Sequence, residues 1–167
     1  MTPELKILDE MDRMTYDFLV DNLAGITEEE LDWRPHPEAN PVRWIVGHLL
    51  WYEEWACDAI EGTGKYLSEH WPSAVDVPAL DEALERFGAA RTRYGGLLEA
   101  LSEDDVTRTI DYFGKFQLSL WSLAAVHSLH LSGHQYQIRY IRGTFSRERG
   151  TEKAAFDPWR DHRKHSR

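Results

Sequence analysis

The chain has 167 residues, 42% of them hydrophobic and 29% charged, with a formal charge of −10 from 19 basic and 29 acidic residues. That length fits one domain able to bury a sizeable core, and no polar low-complexity tract argues for disorder. The acidic excess repels a phosphate backbone, which sets nucleic acid aside as a partner. No run approaches the roughly 20 apolar residues of a membrane span.

The N-terminal stretch MTPELKILDEMDR is charged and lacks the apolar core of a signal peptide. Cys57 is the only cysteine, so no intramolecular disulfide can form. Both features predict a soluble, cytoplasmic protein. The acidity is uneven: residues 145–167 carry seven Lys/Arg against four Asp/Glu, a short basic tail on an acidic body. A bundle over residues 1–144 followed by this tail, packed on it or extending from it, is the expected organisation.

The first helix is predicted from Thr2-Pro3-Glu4, a cap residue followed by proline at the first helical position. Apolar residues from Leu5 to Leu23 recur at helical spacing up to Gly25. Thr27 and Glu30 form a capping-box pattern for a short turn through Leu31. The prolines of WRPHPEANP then break the chain.

A second long helix is predicted from Pro41 to Glu61, with Gly62 as its stop. Its sequence is apolar over more than half the circumference, which makes it central. A loop around GTGKYLSEHWPSAVDV follows. The third long helix is predicted over 78–101. The piece TRTIDYFGKFQLSL, with Gly114 inside it, reads as an irregular or hairpin-like connection. The fourth long helix is predicted from Ser119 to Arg142, with Gly143 past its end. Four helices of this length make an all-α protein, a four-helix bundle.

Three histidines fall in the last helix. At about 100° per residue, His127, His130 and His134 lie within about 60° of one another. The i, i+4 pair His130/His134 can converge on one ion, whereas His127 and His134 are about 10 Å apart along the axis. Two ligands is therefore the limit from this helix, and His127 is expected to be a neighbour. A third ligand is needed, and His48 in the apolar second helix is the obvious candidate. His36 and His70 sit in loops, and His162 and His165 in the tail. A lone buried histidine is ordinarily a hydrogen-bonded core residue, and a histidine pair also arises by chance on an exposed helix. Pattern alone leaves metal binding and ordinary packing equally open.

Other centres find no support. HExxH and Glu-x-x-His are both absent, which argues against a helix-borne zinc protease and a ferritin-like di-iron site. Cys57 lies about 180° around the helix from His48. Neither a glycine-rich phosphate loop nor a GxSxG elbow is present.

With WIVGHLLWYEEW in the second helix and H-x-x-x-H-x-x-Q-I in the fourth (His130, His134, Gln137 and Ile138), the chain resembles the DinB/YfiT-like superfamily. WRPHPEANPVRW and RYIRG extend the likeness in helix order over nearly the whole chain. The resemblance implies a four-helix bundle in which His48, His130 and His134 bind a divalent metal, zinc or nickel first and iron next. Gly133 and Tyr136 depart from the family pattern, which often has histidine and glycine there.

Some superfamily members are thiol S-transferases using low-molecular-weight thiols. The resemblance thus implies a metal-dependent transferase or hydrolase acting on a small molecule; the alternative is a non-catalytic metal-binding stress or partner-binding bundle. Homodimerisation is also expected. Tyr52 and Trp55 are placed to shape a pocket beyond His48. Glu53 and Glu54 point away from His48 and read as solvated or structural. Arg139 and Arg142 read as helix-end residues serving the macrodipole.

Overall fold

A threonine cap and a proline in the first turn start helix α1 (Pro3–Leu23), with the Thr2 hydroxyl accepting from the Leu5 amide at 3.3 Å. The computed structural model describes residues 2–63 and 74–151. Within them α1 is followed by a short α2 (Glu28–Asp32), α3 (Val42–Glu61), α4 (Leu80–Ala100) and α5 (Leu120–Glu148). A 3-10 turn at Asp105–Thr107 leads from α4 into an antiparallel hairpin of β1 (Thr109–Tyr112) and β2 (Phe116–Ser119), with Ile110 opposite Leu118. The fold is mostly helical with one small two-stranded sheet among the described residues.

Thr27 caps α2 by accepting from the Glu30 amide at 3.2 Å. Gly62 ends α3 in the left-handed conformation, as the sequence predicts. The TRTIDYFGKFQLSL connection is a hairpin. The loop residues 64–73, with His70, and the tail residues 152–167, with His162 and His165, lie outside the described residues, as does the question of how that tail packs.

One boundary needs correcting. Helix α5 does not stop at Gly143 but continues to Glu148. Contacts with the α2 region hold the added turns. Phe145 packs edge-on against Trp33 with centroids 5.6 Å apart, and Arg149 pairs with Glu29 at 2.5 Å. The left-handed glycine that follows the helix is Gly150, at φ 62°.

Packing runs α1 on α5, α5 on α3, α3 on α4 and α4 on α1. Helix α3 contributes most to the centre, burying Ile45, Val46, Leu49, Leu50, Tyr52 and Trp55 among others. One cluster around Tyr52, Tyr94 and Leu123 fills the hairpin end, and another around Leu50, Phe87 and Ile138 fills the opposite end. Helices α3 and α5 run antiparallel, since Glu53 meets His127 while His48, earlier in α3, meets His130, later in α5.

Arg142 is not a solvated helix-end residue. Its guanidinium is buried, donates to Glu30 at 2.7 Å and donates to the carbonyls of Asn22 and Ala24. It therefore satisfies carbonyls at the end of α1, a neighbouring helix, instead of serving its own macrodipole.

Gly47, one residue before His48, has a packing reason. The Val75 amide donates to the Gly47 carbonyl at 3.1 Å, and a Cβ on residue 47 would run into the Val75 carbonyl and lie 3.2 Å from Val77 Cγ2. Alanine in a helix interior normally gains about 1 kcal/mol over glycine. Here the backbone clash reverses the sign: Gly47→Ala should destabilise by about 1–3 kcal/mol. Urea unfolding of the two proteins checks this, and a more stable variant would refute the contact.

Candidate metal centre

Three imidazoles from α3 and α5 converge on one point. His48 Nε2 lies 3.1 Å from His130 Nε2, and His134 Nε2 lies 3.0 Å from the same atom. The three ligand atoms are all within 4.8 Å of one another, the one such His/Cys/Asp/Glu group among the described residues. A tetrahedral ion with nitrogens at about 2.0–2.1 Å would set them about 3.3 Å apart. The donors therefore fit a divalent ion in spacing and type. Three neutral imidazoles have little else to gain from such proximity, since one ring nitrogen cannot donate to two neighbours at once.

The protein holds these rings in place before any ion arrives. His48 is buried and stacks on Trp44 at 5.0 Å and on Trp51 at 5.9 Å. Gln137, one turn after His134, has its Oε1 2.8 Å from His134 Nδ1, which leaves Nε2 to face the cluster. The Tyr52 ring lies 4.0 Å from the His130 ring, and its hydroxyl is 3.1 Å from that of Tyr112 on the hairpin. Burial, then the neighbouring His134, His48 and His127, push His130 down to about 2. Burial likewise lowers His134, against the Gln137 hydrogen bond. Neutral imidazole is the form that ligates a metal.

Tyr52 thus borders the site, and Trp55 lies behind it, with ring centroids 5.1 Å apart. Trp55 packs on Phe113 at 4.3 Å and on Tyr112 at 5.4 Å, joining the hairpin to α3. Glu54 is a surface residue paired with Arg86 at 2.7 Å. Cys57 faces away, with Sγ 3.6 Å from the Ala90 carbonyl, and burial pushes its thiol up to about 12. His36 sits in its loop, where Nδ1 accepts from the Glu38 amide at 3.3 Å. A Cβ on Gly133 would meet nothing within 4 Å, so the departure there removes bulk from the surface and not from the core.

His127 is a neighbour of the site in an unforeseen way. It is 1% exposed and lies between two carboxylates, with Nδ1 3.1 Å from Asp12 and Nε2 2.8 Å from Glu53. Tyr94 stacks on its ring at 4.3 Å. Burial opposes a charge here, but Glu53 and Asp12 outweigh it and raise His127 to about 10. On the far side Asp12 accepts from Ser128 and lies 3.9 Å from Arg91. Burial would raise Asp12, yet His127, Ser128 and Arg91 together hold it below the usual carboxylate range. Of the two roles the sequence left open for Glu53, solvated or structural, the structure shows the structural one: it is one arm of a buried ionic clip. A signal existed in the sequence, since Asp9 and Asp12 fall on the apolar stripe of α1 and Glu53 lies inside the apolar α3.

The sequence pattern of the DinB superfamily matches residues 9–138, and the chain belongs to that superfamily. Among solved structures, a conserved protein of Enterococcus faecalis superposes with a TM-score of 0.70 at 16% identity, over 85% of this chain and 96% of its own. A DinB-like protein of Bacillus subtilis superposes with a TM-score of 0.57 at 16% identity, over 93% and 97%. At that identity the likeness is one of fold. No curated protein matches the sequence. No helix among the described residues is long and apolar enough to cross a membrane.

Removing the imidazolium would strand two buried carboxylates, so His127→Ala should cost about 3–5 kcal/mol of stability. The pH dependence has a defined sign. His127 is raised from an unfolded value of about 6.5 to about 10, so its contribution is complete below about 6.5 and is lost as pH rises through about 10. Chemical denaturation between these limits should show a decline that disappears when Asp12, Glu53 and His127 are together replaced by Asn, Gln and Leu. An identical decline in that triple variant would mean that His127 is not the group responsible.

Proposed function

We propose that His48, His130 and His134 hold a divalent metal ion within a four-helix bundle, and that the protein is a metal-dependent enzyme acting on a small molecule. Thiol S-transfer is the first expectation and hydrolysis the second. The observation that carries this reading is the number and kind of donors: three imidazole nitrogens from two helices, one short of the four ligands of a closed structural site. Zinc or nickel suits such a donor set, and iron is the next candidate.

A divalent ion bound there would supply Lewis acidity, making a thiol or water in the remaining position a better nucleophile at neutral pH. The chain's own residues do the positioning. Gln137 fixes the orientation of the His134 ring, and the Trp44 and Trp51 faces fix that of His48. The Tyr52 and Tyr112 hydroxyls form a polar pair at the hairpin edge, able to donate a hydrogen bond to a substrate oxygen. All three imidazoles come from one chain, so a homodimer, also expected here, is not required to complete the centre.

The indole faces around His48 also suit a second reading, in which the ion only staples α3 to α5. Bound metal and turnover measured together separate the two readings. Protein purified without an affinity tag should carry close to one equivalent of metal, and His48→Ala or His134→Ala should lose most of it by elemental analysis. Conjugation of an electrophile to a low-molecular-weight thiol should fall with the metal. Full turnover by a metal-free variant would remove the catalytic reading, and no turnover on thiol or ester substrates by the fully metal-loaded wild-type protein would favour the staple.

A further inference from the structure

Helix α5 carries a glycine that neither backbone nor packing accounts for. Gly133 lies inside the helix without a left-handed φ, and a Cβ added there would meet nothing within 4 Å. Glycine in a helix interior is less stable than alanine, because it loses more backbone freedom on folding. What the missing side chain does border is a cavity of about 520 Å³, between Tyr136, Gln137 and Tyr140 of α5, Ile45 of α3 and the 35–40 loop. A larger side chain at position 133 would stand in that space.

The cavity adjoins the metal centre. Gly133 precedes His134, Gln137 follows it by one turn, and Ile45 precedes His48 by one turn. Gln137 Oε1 is taken by His134 Nδ1 at 2.8 Å, which leaves the Gln137 NH2 as the donor at the cavity wall. Ile45 and Ile141 are buried and form an apolar floor, whereas Tyr136 and Tyr140, neighbours at i, i+4, are 61% and 63% exposed. No Asp, Glu, Lys or Arg lines the cavity among the described residues, although 29% of the chain is charged. A charged ligand would lose hydration there without gaining a counter-ion, while a flat uncharged one would cover the tyrosine rings at no such cost.

We propose that this cavity holds the body of the metal centre's small-molecule substrate, an uncharged aromatic compound bearing a carbonyl oxygen. The ring lies against Tyr136, Tyr140 and Ile45, and the carbonyl accepts from the Gln137 NH2. Gly133 keeps the space open at a cost in helix stability. The volume lies within the roughly 300–1,000 Å³ of small-molecule pockets. Calling the occupant a substrate rests on the metal reading above; its binding does not.

The probe is acetophenone, titrated into the full chain and followed by amide resonances. Saturable shifts are expected around Asn40, Gly133, Gln137 and Tyr140, with Kd near the millimolar range that roughly nine ligand atoms support. Benzoate, of similar size but charged, should bind at least about tenfold more weakly. Gln137→Leu should weaken acetophenone about fivefold. Gly133→Ala should raise Tm by about 2–4 °C, and Gly133→Phe should fold as stably as the parent and abolish binding. In the cobalt-loaded protein, acetophenone should shift the visible absorption of the ion. His48→Ala, which loses the ion, should still bind acetophenone, so failure of the metal reading leaves the binding intact. A cobalt-loaded protein that shows no saturable shifts at about 10 mM acetophenone overturns the cavity alone. Equal binding of benzoate, binding that survives Gly133→Phe, a less stable Gly133→Ala, or cobalt absorption unmoved by bound acetophenone would each overturn the proposal. Shifts that follow protein concentration instead of ligand, the mark of a second copy seated on the two tyrosines, would overturn it as well.

Discussion

Burying His127 between Asp12 and Glu53 is the constraint on which the rest of the arrangement depends. It joins α1, α3 and α5 at one level of the core, with Arg91 of α4 close behind Asp12. Each charge is tolerable there only because the others are present; a single unpaired ion in such a setting would cost several kcal/mol. The clip is also directional. Sliding α5 by one turn along α3 would separate His127 from Glu53 and carry His130 and His134 away from His48. The same register that satisfies the buried charges therefore brings the three imidazoles together, a turn or so further along.

Most of the helical framework was legible because its signals are local. Thr2-Pro3, Thr27 and Gly62 act within a few residues of the ends they define, and the structure places caps at all three. The end of α5 was not legible, since Gly143 has the look of a stop. What carries the helix past it is contact between Phe145 and Trp33 and between Arg149 and Glu29, residues more than a hundred positions apart. Arg142 was misread for the same reason, because the carbonyls it satisfies belong to another helix.

The candidate centre was half legible. Periodicity brought His130 and His134 together and kept Cys57 away; His48 stood out as a polar residue inside an apolar helix, and the resemblance implied that it joins the pair as a ligand. The structure brings those three rings within ligand distance of one another. Glu53 was the opposite case: its angle from His48 was read correctly, but the sequence left it solvated or structural alike with Glu54, and the structure separates the two, burying Glu53 and leaving Glu54 at the surface. In a helix buried around most of its circumference, a side chain facing away from one partner meets another. Charged residues on the buried stripes of α1 and α3 were the overlooked clue, since such residues are almost never fully buried unless paired.

The account stands on one geometric claim, that a divalent ion sits among His48, His130 and His134. X-ray absorption at the metal edge of the zinc-loaded protein measures it directly. In thiol-free buffer, three imidazole nitrogens at about 2.0–2.1 Å, with one water oxygen completing four, is the result expected. A first shell containing sulfur, a shell of carboxylate oxygens, or an imidazole signal unchanged in His48→Ala would contradict it.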